Sequence, residues 1–424
     1  MAPEPLANRQ WDMRQIGATP TGSYAVNRGK RGVLVGIIDT GIDGTHPDIA
    51  PNFDAALSHN FTVDMPVIDG PCEVPSCIDP ANVDDDGHGT HVASTIGSPI
   101  NGLGIAGVAP DVTLVNIRAG QDSGYFFLQS VLEALTYAGD IGVDVVNMSF
   151  YTDPWLYNCL HNPADSAAEQ AEQRVIRTAT QRALNYALRH GVLPVAAEGN
   201  EATDLGHPTT DDTSPDFPVD AAKHRVIDNS CITVPTESAG VLVVSSTGIT
   251  TRKAYYSNYG TEQTDVAAPG GDFYDSADNT GDPRNEVLAA YPKRLAELNG
   301  QLNPDGTPNT PFVVQDCEGT VCAYYQYLQG TSMASPHAVG VAALIVSRFG
   351  KKSGSGLGLN PEVTRAKLKN TAVQQACPSP RLFQYTRVRA DGTVFQGQAF
   401  CSGSPSDNGF YGDGIINAYT ASRS

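Results

Sequence analysis

Five short apolar runs between Gly32 and Gly248 constrain this chain more than any other feature: GVLVGIIDT, VTLVNIRA, VDVVNMSF, GVLPVAAEGN and GVLVVSSTG. A strand that alternates apolar and polar residues keeps one face in water. A continuous apolar run has both faces buried, which is the condition of a parallel sheet covered by helices. The segments between the runs carry helical periodicity. In SAAEQAEQRVIRTATQRALNYALRHG, Ile176, Ala179, Ala183 and Ala187 recur at spacings of three and four, with Gly191 as the stop. The pattern predicts an α/β fold with a central, mostly parallel β-sheet flanked by helices on both faces.

With 424 residues, 40% hydrophobic and 17% charged, the chain can bury a large core. The formal charge of −19, with no basic cluster to offset it, excludes nucleic acid as a main partner. No apolar run reaches the roughly 20 residues a membrane-spanning helix needs, so no membrane partner is expected. The opening MAPEPLANRQWDMRQIGATP has no basic start followed by an apolar core and does not read as a signal peptide.

Eight cysteines, an even number, favour an oxidising compartment. Three pairs are local enough to staple loops, Cys72 with Cys77, Cys317 with Cys322 and Cys377 with Cys401, leaving Cys159 with Cys231. None has CxxC spacing, and no nearby histidine completes a zinc set. Four stretches rich in Pro, Asp, Asn and Gly interrupt the strand pattern, at about 64–86, 152–165, 203–229 and 272–322. They read as surface loops inserted in one domain covering 1–424, and KKSGSGLGLN reads as a short exposed loop.

In an open parallel sheet, ligand sites collect beyond the carboxyl ends of the strands. That rule picks out Asp39, Ser149 and Asn200, while His88 in GHGTH and Ser332 in GTSMASPH open helical stretches. A serine hydroxyl is a weak nucleophile until an imidazole takes its proton, and the imidazole needs a carboxylate to fix its tautomer. His91 and Ser335 are the rivals for these roles, and both read better as packed residues.

The motifs IIDTGIDGTHPDI, GHGTHVA, GVAP, VVNMS, AAEGN, VAAPGG, GTSMASPHAVGVAAL and YGDGIINAYTA occur in this order along nearly the whole chain. In that set the sequence resembles the subtilisin-like (subtilase) serine peptidases. The resemblance implies a subtilisin-like fold and a secreted serine endopeptidase, with signal and propeptide absent from this chain. Asp39 would orient the imidazole, His88 would be general base and acid, Ser332 the nucleophile and Asn200 the oxyanion donor. Protein or peptide substrates and the chain's own N-terminal propeptide are the implied partners.

The same resemblance implies two walls for the pocket that takes the residue preceding the scissile bond: Ser149, Phe150 and Tyr151, and Ala197, Glu198 and Gly199. It implies structural calcium held by Asp48, Asn101 and the backbone carbonyls of Pro99, Leu103 and Ile105, with Asp265 at a second site, and no organic cofactor. Tyr151 and Glu198 stand where many family members have smaller residues, which puts a preference for large apolar substrates in question. The run Asp84, Asp85 and Asp86 could favour basic substrate residues, or could be a solvated or calcium-binding loop. An exopeptidase or dedicated processing peptidase, and an inactive peptide-binding member, are the alternatives.

Overall fold

The computed structural model describes residues 3–353 and 356–424. Seven strands form the central sheet: β1 (Leu34–Ile38), β2 (His59–Asn60), β3 (Thr113–Arg118), β4 (Val145–Met148), β5 (Leu193–Ala197), β6 (Leu242–Thr247) and β7 (Val266–Pro269). Their spatial order is β2-β3-β1-β4-β5-β6-β7, and every neighbouring pair is parallel. The five apolar runs supply β1, β3, β4, β5 and β6, as their pattern predicts.

Successive residues of each strand go to opposite layers, so the sheet builds two cores at once. On one face Val35, Ile37, Val145, Val195, Leu242 and Val244 join helix α1 (His88–Gly97) and helix α4 (Thr331–Phe349). On the other, Ile38, Val115, Val146, Ala196 and Val243 join helices α2 (Leu128–Ile141) and α3 (Ala167–Arg189). Helix α3 begins with a capping box in which the Ser166 hydroxyl accepts from Glu169 N and the Glu169 carboxylate accepts from Ser166 N. It buries Ile176, Ala183 and Ala187 as expected, but Thr180 rather than Ala179 faces the sheet.

Helix α4 is apolar around its circumference: every residue from Thr331 to Ser347 except Ser332 is buried. Pro336 lies inside it and has no N–H to give to the carbonyl of Ser332. That carbonyl instead accepts the Ser149 hydroxyl at 3.1 Å, so the proline removes a helix bond and leaves room for a latch to the end of β4.

The inserted segments are more ordered than their composition predicts. The stretch read as a loop at 272–322 contains β8 (Val287–Ala290) and β9 (Val313–Glu318), which sandwich β10 (Val321–Leu328) in a three-stranded antiparallel sheet. All of β8 is buried against the core; an apolar run of four residues is too short to stand out from loop sequence. All four disulfides join the cysteines paired in the sequence reading. In KKSGSGLGLN, Lys351–Ser353 pairs with Gly356–Gly358 as a hairpin, and Gly354 and Ser355 lie outside the described residues, as do Met1 and Ala2.

Packing around α4 leaves no room at Gly340, where an added Cβ would meet Val108 Cβ at 2.5 Å. Gly340→Val should destabilise the protein by about 1–3 kcal/mol through overpacking. Helix propensity, worth about 1 kcal/mol against glycine at most, offsets only part of that loss. A thermal denaturation scan at fixed rate, with the melting temperature unchanged, would contradict this account of the packing.

Candidate active site

Asp39 is the first residue beyond β1 and is fully buried. Its carbonyl accepts the N–H groups of Ala119 and Gly120, each at 3.0 Å, which ties it to the end of β3. Its carboxylate Oδ1 accepts Thr40 N at 2.8 Å and His88 Nδ1 at 2.7 Å. With the proton of a neutral imidazole on Nδ1, Nε2 keeps its lone pair.

His88 is the first residue of α1 and follows Gly87, whose φ of 96° favours glycine. Glycine is also required at the next position, because a Cβ on Gly89 would lie 2.1 Å from the Gly41 carbonyl oxygen. The helix start can therefore press against the loop that carries Asp39. Burial would hold the His88 imidazole neutral, but Asp39 in contact, and then Asp86 and Asp84, outweigh it and push the pKa up to about 9.

Ser332, the one partly exposed residue in the first four turns of α4, shares a cleft of about 550 Å³ with His88 and Asn200. The Ser332 hydroxyl donates to the Ser149 carbonyl at 3.3 Å. The Asn200 carboxamide oxygen accepts both Thr331 N at 2.9 Å and Thr331 Oγ1 at 3.0 Å. That pairing fixes the amide so that its NH₂ group is left to donate, beside the backbone N–H of Ser332 at the start of α4.

Ser149, Phe150, Tyr151, Ala197 and Gly199 line the same cleft. Glu198 does not, which corrects its assignment to the substrate wall: it is fully buried and accepts the Thr264 hydroxyl at 2.6 Å. Strand alternation explains this, since Glu198 projects to the opposite side from its neighbours. Burial pushes its carboxyl well above the usual range. His91 is buried with Nε2 on the carbonyls of Val287 and Gln326, and burial lowers it to about 3. Ser335 is buried and donates to Asn147 at 2.8 Å.

The acidic run before His88 divides its labour. Asp84 is buried and accepts from Thr40, Gly87 and Thr90, shaping the approach to α1. Asp85 pairs with Arg294, and Asp86 accepts His88 N while lining the cleft.

Two places offer all-oxygen donor sets for a hard cation such as calcium. Asp48 is fully buried and its carboxylate meets Asn101 Nδ2, Ile105 N and the Tyr325 hydroxyl, each at 3.1 Å. The carbonyls of Pro99, Leu103 and Ile105 accept no hydrogen bond among the described residues, although Leu103 and Ile105 are buried; a cation would satisfy them. The sequence reading missed the second place, where Asp64, Glu73, Asp79 and Asp122 each bring a carboxylate oxygen within 4.8 Å of the others. Buried Arg118 pairs with Asp79 at 2.8 Å and Asp122 at 2.6 Å, while both Asp64 oxygens lack a hydrogen-bond partner. Only the density of acids in the 64–86 insertion signalled it. The Asp265 carboxylate, expected at a second metal site, is instead engaged by Lys369 at 2.6 Å, Arg365 at 3.5 Å and Val243 N.

The His88 environment makes a prediction that needs no assumption about activity. Asp39→Asn removes the largest influence that raises the imidazole and leaves burial, which lowers it. An NMR titration of the His88 ring should show a midpoint near about 9 in the wild type and a distinctly lower one in the variant; equal midpoints would mean the pair is not formed in solution.

The profile of the peptidase S8 Subtilase family matches residues 30–400. A thermophilic serine proteinase of Bacillus sp. (strain AK1) is 28% identical over 373 residues, covering 88% of this chain and 64% of that protein. Fervidolysin of Fervidobacterium pennivorans is 26% identical over 87% of this chain and 41% of its own length. This chain therefore spans about two thirds or less of such relatives, whereas Subtilisin BL of Lederbergia lenta, 26% identical, is matched over 94% of both chains. Among solved structures, the epidermin leader peptide processing serine protease of Staphylococcus aureus superposes with a TM-score of 0.66 at 23% identity, over 99% of this chain and 82% of that one. The nisin leader peptidase of Lactococcus lactis does so at 0.63 and 22%, over 87% and 90%. The chain belongs to the subtilase family of subtilisin-like serine peptidases.

Proposed function

We propose that the chain is a secreted serine endopeptidase acting through Asp39, His88, Ser332 and Asn200. The observation that carries this reading is the contact of His88 Nδ1 with buried Asp39 at 2.7 Å, in a cleft that also presents Ser332 and a pre-oriented Asn200 amide. Ser332 Oγ attacks the substrate carbonyl carbon while His88 Nε2 takes its proton. The carbonyl electron pair moves onto oxygen, where Asn200 Nδ2 and Ser332 N donate to it. The C–N bond then breaks as His88 returns the proton to the leaving amine, and water repeats the sequence on the acyl-enzyme. Four disulfides support an oxidising, extracellular setting, and the family resemblance supports synthesis with an N-terminal propeptide.

A fluorophosphonate should add once to the wild type and not to Ser332→Ala, read by intact mass. A folded wild type that stays unlabelled would sink the proposal. Asn200→Ala should lower kcat by about 10²–10³, the loss seen for such a donor in subtilisin itself. Because only the neutral imidazole accepts a proton, kcat/KM should rise with pH through the alkaline range toward about 9. Internal cuts in a long unfolded protein support endopeptidase action, and short terminal fragments of fixed length support the exopeptidase alternative.

Calcium fits the Asp48 site, where Asp48, Asn101 and the carbonyls of Pro99, Leu103 and Ile105 would hold it and tie two loops together without entering the chemistry. A chelator should lower the melting temperature of the wild type by more than that of Asp48→Asn, any shift common to both coming from the acidic cluster around Asp64; equal shifts in both would remove the assignment.

A further inference from the structure

The cleft holds more carboxyl groups than the catalytic chemistry explains. Asp153, Glu201 and Asp216 line it together with Tyr151. Asp153 lies two residues beyond Tyr151 and Glu201 two beyond Gly199, so each wall of the pocket continues into a carboxylate. Asp216 reaches them from the 203–229 insertion, accepts the Tyr151 hydroxyl at 2.6 Å through Oδ2, and lies against the Asp153 carboxyl, with which it can share a proton. Asp153 accepts Phe126 N, and Glu201 accepts Asn200 N at 2.9 Å and Asn258 Nδ2 at 2.6 Å.

No Lys, Arg or His pairs with these three carboxylates among the described residues. The contrast within the same insertions is sharp, because Asp165 and Asp211 both pair with fully buried Arg225, at 3.1 and 2.8 Å. Burial and the adjacent Asp216 push the Asp153 carboxyl well above its usual range, and burial raises Glu201. Crowded carboxylates in a half-enclosed site are costly unless they take up protons or a cation reaches them. An apolar substrate side chain would seal them from water unpaired, whereas a cationic one would neutralise them.

We infer that this cleft selects a basic residue, Arg or Lys, on the acyl side of the scissile bond, with the adjoining Asp153 and Asp216 carboxyls as its ion-pair partner. The inference rests on the peptidase reading above and adds its substrate class. The apolar competitor is real, since the Phe126 and Phe150 rings stack at 4.2 Å along the same cleft. Those rings can pack the methylene stem of an Arg or Lys while the charged head reaches the acids. The acids themselves are held rigidly: the Cys159–Cys231 disulfide ties the 152–165 insertion to the chain just beyond the 203–229 insertion, and Arg225, stacked on Trp155 at 4.8 Å, also holds Asp165 and Gln173.

The test uses matched fluorogenic peptides that differ only in the residue before the scissile bond: Arg, Lys, norleucine, Phe or Glu. For the wild type, kcat/KM with Arg or Lys should exceed that with norleucine by at least about 30-fold, the scale of a desolvated charge pair. Asp216→Asn should reduce that ratio at least about tenfold. A wild type that labels with fluorophosphonate but cleaves norleucine or Phe peptides as well as Arg peptides overturns the specificity and leaves the peptidase reading intact. A wild type that neither labels nor cleaves any of them overturns both. Should Asp216→Asn fail to fold, the wild-type ratio still decides.

Discussion

The latch between helix α4 and the ends of strands β4 and β5 is the contact on which the cleft depends. Ser149 donates to the Ser332 carbonyl, Ser335 donates to Asn147, and Thr331 donates to Asn200. Three polar side chains at strand ends are thus spent on orienting one helix start. The apolar remainder of α4 is buried among the sheet residues of one core, so the helix cannot slide to relieve a misfit. Close-packed interiors resist shifts of even a methylene group, and that stiffness is what holds Ser332 at the mouth of a helix with its N–H free.

Asp39 and His88 are fixed by a different device. The carboxylate is buried at the end of β1 and the imidazole sits on α1, which packs on the same face of the sheet as α4. Each proposed catalytic group is therefore carried by a separate rigid element, and the sheet sets their spacing. Burial and charge pull the imidazole in opposite directions here: a dry site favours the neutral ring, while Asp39, Asp86 and Asp84 favour the cation and prevail. A ring balanced this way would, in the proposed mechanism, stabilise the imidazolium that forms as the hydroxyl is deprotonated.

Much of this was legible in the sequence because it depends on local pattern. Unbroken β-branched runs give doubly buried strands, and Asp39, Asn200, His88 and Ser332 stand where those runs end or helices begin. What escaped depends on contacts distant in sequence. Glu198 is indistinguishable from a pocket residue until strand alternation and Thr264 turn it inward. Asp265 looks like a free carboxylate until Lys369, from a helix more than a hundred residues later, reaches it. Strand β8 is four apolar residues in a polar insertion, and only the neighbouring β10 identifies it. Buried Arg225 gives no local signal, because its carboxylate partners Asp165 and Asp211 come from separate insertions, and Arg118 joins a local partner, Asp122, to Asp79 from the 64–86 insertion.

Those buried arginines show how an acidic chain with 27 cationic residues against 46 acidic ones distributes its charge. Arg118, at the end of β3, and Arg225, inside the 203–229 insertion, each hold two carboxylates and so set the position of a loop. Lys253 is buried as well, with Ala254 O and Ser257 O as its acceptors, and burial lowers it to about 7. Removing one partner from such pairs would strand a buried charge, which costs more than the pair contributes. The insertions are therefore braced by internal cations, while the carboxylates they and the walls present to the cleft are left without one. A scaffold that can neutralise its acids elsewhere but not in its groove leaves that neutralisation to whatever enters the groove.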